Sequence, residues 1–262
     1  MSIDAARLPV TGTACLSVEA VGVATLPFEN YLPLSSYPAQ EAPMSQLERE
    51  HGIPREHVIV MSAEDSTDAG PDVSKLVLDG LGAPECEQPL FFVRSGPLRD
   101  SLVAKLAQLV HESGWAGEDV GITHLEELGG TVIFGMLEWA VPADTGATVV
   151  ICDEPLFADV REAGRFAAVG LRVRQGAGPL RVVGCGEGTP GDELGPVAHR
   201  FTGRRLSDGW LAFHEALTAG KVRAGDLVLV GAQGPVREGW LLLDAVDPAS
   251  VRLSEHLAHA RS

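Results

Sequence analysis

The sequence predicts an α/β protein whose sheet is covered on both faces. Three observations carry this reading. Short, almost wholly apolar runs such as ATVVICDE (147–154) and FAAVGLRV (166–173) alternate with helix-like segments. Strands apolar on both faces belong to sheets that other layers cover twice. With 262 residues, 45% of them hydrophobic and 21% charged, the chain has a globular composition and enough length for a large core.

The elements follow in order. Residues 15–26 (CLSVEAVGVATL) read as a strand, and the Pro- and Ser-rich stretch 26–43 as loop. A short helix near 44–52 leads to a strand at 57–62. Asp72 or Ser74 can cap a helix over 73–82, closed by glycine. PLFFVRSG (89–96) is β-rich. Apolar residues at 98, 102, 103, 106, 109 and 110 share one helical face. DVGIT (119–123), a buried helix over 128–140 and the two apolar strands complete a first block.

After the break RQGAGP (174–179) the pattern restarts more sparsely. LRVVGCG (180–186) is a strand, and 187–205 a polar connection. Ser207 or Asp208 can cap a helix over 209–220. DLVLVG (226–231), a turn at AQGP and VREGWLLLD (236–244) make a closing strand pair, and the end of the chain reads as a solvated tail.

Charge and cysteine usage narrow the function. A net charge of -16 repels nucleic acid and anionic membranes, and disfavours phosphorylated ligands or acidic carrier proteins unless a local basic patch offsets it. No apolar run is long enough for a membrane span, and the start of the chain lacks the pattern of a secretory signal. The four cysteines (Cys15, Cys86, Cys152 and Cys185) form no C-x-x-C pair. This suits reduced thiols in a cytoplasm and argues against a disulfide framework or zinc. No metal or other cofactor is expected.

Several constellations stand out. His124, Glu126 and Glu127 precede the buried helix, as an acid/base group, as part of a metal site, or as carboxylates that cap the helix or face solvent. GCGEG (184–188) follows a strand, but no helix-forming sequence comes next, so it reads as a turn rather than a phosphate loop. Cys152 and Cys185 lie in apolar strands as inert thiols. HLAH (256–259) has helical ligand spacing within the tail. Arg161, Arg165, Arg172 and Arg174, with Arg200, Arg204 and Arg205, are the main basic clusters. They could receive an anionic carrier or balance surface charge.

Three stretches carry a resemblance. ALTAGKVRAGDLVLVGAQGPVREGWLLL (216–243) runs a helix through Ala224, Gly225 and Asp226 into a strand, a glycine turn and a last strand. LEREHGIPREHVIVMSAEDSTD (47–68) and GITHLEELGGTVIFGMLEWA with ATVVICDE (121–140 and 147–154) add weaker matches. In these the chain resembles class III β-ketoacyl synthases of the thiolase superfamily. The resemblance implies a thiolase-like layered α/β fold, with a near-complete N-terminal half at 15–175 and a shortened C-terminal half at 176–250.

That family uses a cysteine at the amino end of the buried helix, where the helix dipole favours a thiolate. Leu128 stands there in this chain, or Glu127 if the alignment shifts by one. The position of the family's asparagine reads Arg204, and the segment bearing its histidine has no counterpart. The resemblance thus implies a non-catalytic partner subunit in fatty-acid- or polyketide-type biosynthesis. Such a subunit would form a homodimer, or a heterodimer with a complete ketosynthase, with 128–152 serving association. Acyl-coenzyme A or an acyl carrier protein would meet Leu128, Gly129, Gly130 and Arg204. A second reading is an acyltransferase or hydrolase with His124, Glu127 or His214 as base. A third is an unrelated α/β protein.

Overall fold

The computed structural model describes residues 16–27, 31–33, 54–61, 72–94, 105–123, 125–154, 157–159, 165–191, 196–234 and 237–257. The strands are β1 (Leu16–Pro27), β2 (Tyr31–Pro33), β3 (Val58–Met61), β4 (Leu90–Arg94), β5 (Asp119–Ile122), β6 (Ala147–Asp153), β7 (Phe157–Asp159), β8 (Arg165–Gln175), β9 (Leu180–Glu187), β10 (His199–Gly203), β11 (Asp226–Gln233), β12 (Glu238–Ala245) and β13 (Arg252–Leu257). The helices are α1 (Val73–Leu81), α2 (Lys105–Ser113), α3 (Ile133–Ala140) and α4 (Asp208–Thr218).

Ten of these strands form one sheet in the order β10-β11-β12-β9-β1-β8-β6-β4-β5, with β13 on β1. Its two wings repeat one pattern. In the first, β8 runs antiparallel to both β1 and β6, and β6 is parallel to β4. In the second, β12 runs antiparallel to both β9 and β11, and β11 is parallel to β10. Three described helices accompany the first wing and one the second. β1 joins the wings, pairing with β9 at Ser17 and Val18 and with β13 from Ala20 onward. The small β2-β3-β7 sheet stands apart.

Side-chain alternation explains the layers. Leu90, Phe92, Val150 and Ala168 pack with Val73, Val77 and Leu109 of α1 and α2. Phe91, Val93, Val149 and Ile151 point the other way, towards Phe134 of α3 and Trp210 of α4. Val228, Val230, Leu241 and Leu243 of the second wing enter that same cluster. Helices α3 and α4 therefore lie in a core shared by both wings, as a layered α/β fold requires.

Several expectations need correction. Residues 187–205 are not a plain connection, because His199–Gly203 pairs in parallel with β11. Its alternating HRFTG turns Phe201 towards the core and leaves Arg200 and Thr202 exposed. His256 and Leu257 of the supposed tail instead end β13, which supplies hydrogen bonds to the open edge of β1. Tyr31–Pro33 is a short strand inside the presumed loop. The predicted helix over 128–140 is a 3-10 turn at Glu126–Gly130 followed by α3. Gly184 to Glu187 continue β9, and the chain turns at Gly188 (φ 82°).

Strand β6 is buried at all seven positions. It cannot offer a direct association surface, and the parts of 128–152 left for contact are the outer face of α3, where Trp139 is 77% exposed, and the loop at Ala143 and Asp144. Asp72 rather than Ser74 caps α1, accepting from the Ser74 amide at 2.8 Å, and Gly82 (φ 71°) closes it. The helix expected at 44–52, and 98–104 of the helix expected at 98–110, lie outside the described residues. Among the described residues no helix is long and apolar enough to cross a membrane.

Candidate functional site at the elbow before α3

The elbow sits where the parallel strands β4 and β6 end, the end of an α/β sheet at which ligands usually bind. Leu125 leads into the 3-10 turn with no side-chain cap, and α3 starts without one as well. The carboxylates ahead of the helix therefore do not cap it. Glu126 is exposed and takes a left-handed backbone (φ 48°), alone in this among the described non-glycine residues. That conformation costs a residue with a Cβ on the order of 1 kcal/mol.

Glu127 is half-buried. Its carboxylate lies against the Cα of Gly234 in the turn between β11 and β12, where any side chain at 234 would overlap it. The overlapping atoms are the flexible end of Glu127, so a larger residue at 234 would displace that carboxylate. Arg237, three residues on, pairs with Glu187 through two 2.7 Å hydrogen bonds. The bond to Glu187, and then the nearby charges of Glu187, Glu126 and Glu127, raise its pKa. The elbow mouth is accordingly acidic, with Arg237 as its cation.

Leu128, Gly129 and Gly130 are buried. A Cβ on Gly130 would overlap the carbonyl oxygen of Leu206, and one on Gly129 would crowd Val93 and the Leu206 side chain. The close approach these glycines allow is to the segment that starts α4. Trp210 locks it, its Nε1–H donating to the Gly130 carbonyl at 2.7 Å. An aromatic column follows: Phe134 on Trp210 at 5.9 Å, Trp210 on Phe213 at 6.0 Å and Phe213 on Phe201 at 5.6 Å.

Beside the elbow, the strand ends carry a buried polar group. Lys105 bridges Glu154 (3.0 Å) and Asp72 (3.1 Å). Burial disfavours its ammonium, but Glu154 and Asp72 outweigh that and hold it above its ordinary value. Arg94 lies 4.0 Å from Glu154. The Ser207 hydroxyl donates to Asp153 at 3.4 Å rather than capping α4. Asp208 instead accepts from the Arg205 amide at 3.0 Å.

The candidate residues do not gather into one cluster. His124 lies outside the described residues. Arg204 is exposed just after β10. His214 is on α4, only 3% exposed, and its Nε2 has no hydrogen-bond partner. Its neighbours are Ser254 and Glu255 of β13, and no hydrogen bond or ion pair joins it to Glu127. Burial pushes Cys152 well above its ordinary value and Cys185 up to about 11, so neither thiol is activated. Among the described residues no His, Cys, Asp and Glu group is arranged to hold a metal ion.

His214 yields a pH prediction. Burial lowers its pKa below 6.5, against weaker opposing effects of Glu255 and Ser254. The unfolded chain therefore takes up a proton near that ordinary value before the folded chain does. This contribution to stability is full above about pH 6.5 and is lost as the pH falls through the folded pKa. The melting temperature should fall on acidification, and more steeply in wild type than in His214→Gln. Parallel profiles would reject the assignment.

Residues that sequence reasoning missed are Gly234, Arg237, Glu187 and Trp210, all brought to the elbow from the second wing. The available signal was the glycine turn at 232–235 in the best-matching stretch.

The architecture is the thiolase-like α/β fold, in which the elbow before a central helix faces a turn from the opposite wing. No family model matches the chain, and no curated protein matches it. Solved structures do. The acyltransferase ChlB3 aligns with a TM-score of 0.55 at 15% identity over 90% of this chain and 99% of its own. The 3-oxoacyl-[acyl-carrier-protein] synthase III from Aquifex aeolicus VF5 gives 0.51 at 13% over 87% and 99%. PksG, an HMG-CoA synthase from Bacillus subtilis, gives 0.56 at 13% over 91% and 81%. At such identities the fold is what is shared.

Proposed function

We propose that this chain is a degenerate class III ketosynthase-like protein, a non-catalytic partner subunit in acyl-thioester biosynthesis of the fatty-acid or polyketide type. The observation that carries the reading is the elbow: it holds Glu126, Glu127 and buried Leu128, with no thiol at the position the resemblance assigns to the nucleophile. Cys152 and Cys185 are unactivated strand residues, and Cys86 is exposed far along the chain. The acidic mouth also opposes a malonyl carboxylate. The repeated strand pattern supports a division into halves at 15–175 and 176–250, the second keeping one described helix. Free thiols suit a cytoplasmic setting.

The partner in this reading is a second copy, or a complete ketosynthase where one is present. Trp139, on the solvent face of α3, supports an association surface there, since isolated exposed tryptophans are enriched at interfaces. Analytical ultracentrifugation at tens of micromolar should show a dimer, weakened by Trp139→Ser. A monomer that also fails to bind a complete ketosynthase would count against it.

One observation favours the second reading, an acyltransferase or hydrolase. Glu127 is half-buried against Gly234, which supports a role as base toward a water or acceptor that attacks a bound thioester. Incubation with acyl-thioesters followed by mass spectrometry separates the two. Turnover without a covalent adduct supports the Glu127 base, and no turnover supports the partner subunit.

A further inference from the structure

A cavity of about 570 Å³ opens at the opposite end of the strands from the elbow. Its wall includes Gln88, just before β4, and Gly146, just before β6, whereas the elbow touches Val93 at the far end of β4. Arg172 of β8 and Arg252 of β13 both line it. They are the cross-strand neighbours of Ala20 on its two sides. Adjacent strands lie about 4.8 Å apart, and in-register residues share a face. The two arginines therefore rise side by side with only the Ala20 methyl between them.

Among the described residues neither guanidinium has a counter-ion. Arg172 is only 5% exposed, yet its partners are neutral: the Thr148 hydroxyl, the Gly82 carbonyl and the ring of Trp115, 5.8 Å away. Among the described residues no carboxylate lies within ion-pair distance of Arg172 or Arg252, whereas Arg174 nearby is paired with Glu19 at 3.0 Å. Glu85 and Asp144 are the other acids in the wall, and both are exposed. Burial and the like charge of Arg252 lower Arg172 to about 10. Holding a buried cation beside a second one is costly unless an anion joins them.

We propose that this cavity is a binding site for a compact oxyanion, a phosphate or carboxylate group clasped between Arg172 and Arg252. Guanidinium forks suit both groups, which accept two parallel N–H bonds. Arg172 is pre-set by Gly82, Thr148 and Trp115, and the exposed Arg252 closes on the ligand from β13. The rim acids Glu85 and Asp144 favour a small anionic group over an extended polyanion. The site offsets locally the overall charge of -16.

Calorimetric titration of the full chain with inorganic phosphate, and separately with acetate, tests this. Saturable binding of phosphate alone identifies a phosphate-bearing ligand, of acetate alone a carboxylate, and of both the shared chemistry. Arg252→Gln should weaken binding by about tenfold or more, the size expected for one charge-assisted pair. Arg172→Gln should do the same, but it also loosens the end of α1, so the exposed Arg252 variant decides if that protein does not fold. Cys86 lines the cavity and reports its location. Ligand should slow Cys86 alkylation in wild type and not in Arg252→Gln, with Cys185 unchanged. Absence of saturable binding by either anion, undiminished affinity in Arg252→Gln, or Cys86 alkylation indifferent to ligand would each overturn the proposal.

Discussion

Purified protein supplied with an acyl-coenzyme A and malonyl-carrier protein is expected to form condensation product no faster than a no-enzyme control. Condensation through an acyl-enzyme needs a thiolate at the helix start to take the acyl group. In the proposed reading that position falls to Leu128, fully buried beside Gly129 and Gly130, or to Glu127, which lies against Gly234. Removing a nucleophile from an enzyme that works through one costs on the order of 10⁶ in turnover, which places the product below detection. Mass-spectrometric assay of the product checks this. Steady product formation above the control would refute the partner-subunit reading at its base.

The second large effect is on stability. Gly130→Ala drives a Cβ into the Leu206 carbonyl, so backbone must move against backbone. It also displaces the carbonyl that receives Trp210 at 2.7 Å. Overpacking of this kind costs about 3 kcal/mol or more, which for a chain of this size lowers the melting temperature by roughly 6–12 °C. Gly129→Ala meets only the ends of Val93 and Leu206 side chains and should cost nearer ~1 kcal/mol. Calorimetric melts of the two variants give the comparison. Equal losses would mean that the elbow does not pack on Leu206 as described.

The central strands were readable because β4, β6, β8 and β11 are short runs that must be apolar on both faces. Edge elements were not. β10 and β13 are mostly polar, and β13 gains its hydrogen bonds from a partner distant in sequence, so HRFTG and RLSEHL look like loop and tail. The 3-10 turn before α3 was misread as helix because local apolar spacing does not register Gly129–Gly130–Thr131 as a break. At the site, Glu127 was visible as a carboxylate before a buried helix. What it touches was not, since Gly234 and Arg237 lie more than a hundred residues downstream. The row Arg172–Ala20–Arg252 was hidden for the same reason: it exists only once three strands from opposite ends of the chain align.

The pairing of β13 with β1 also has a bearing on how the protein is made. β1 is complete at residue 27, but its partner along Ala20–Thr25 is not finished until residue 257. At a synthesis rate of about 5–20 residues per second, those intervening residues take roughly 10–50 s. Throughout that interval the nascent chain carries an unpaired, strongly apolar strand edge, the kind that other emerging chains can capture. Shielding of that edge therefore matters for longer than the finished fold suggests, and a chain stalled before residue 252 would keep it open.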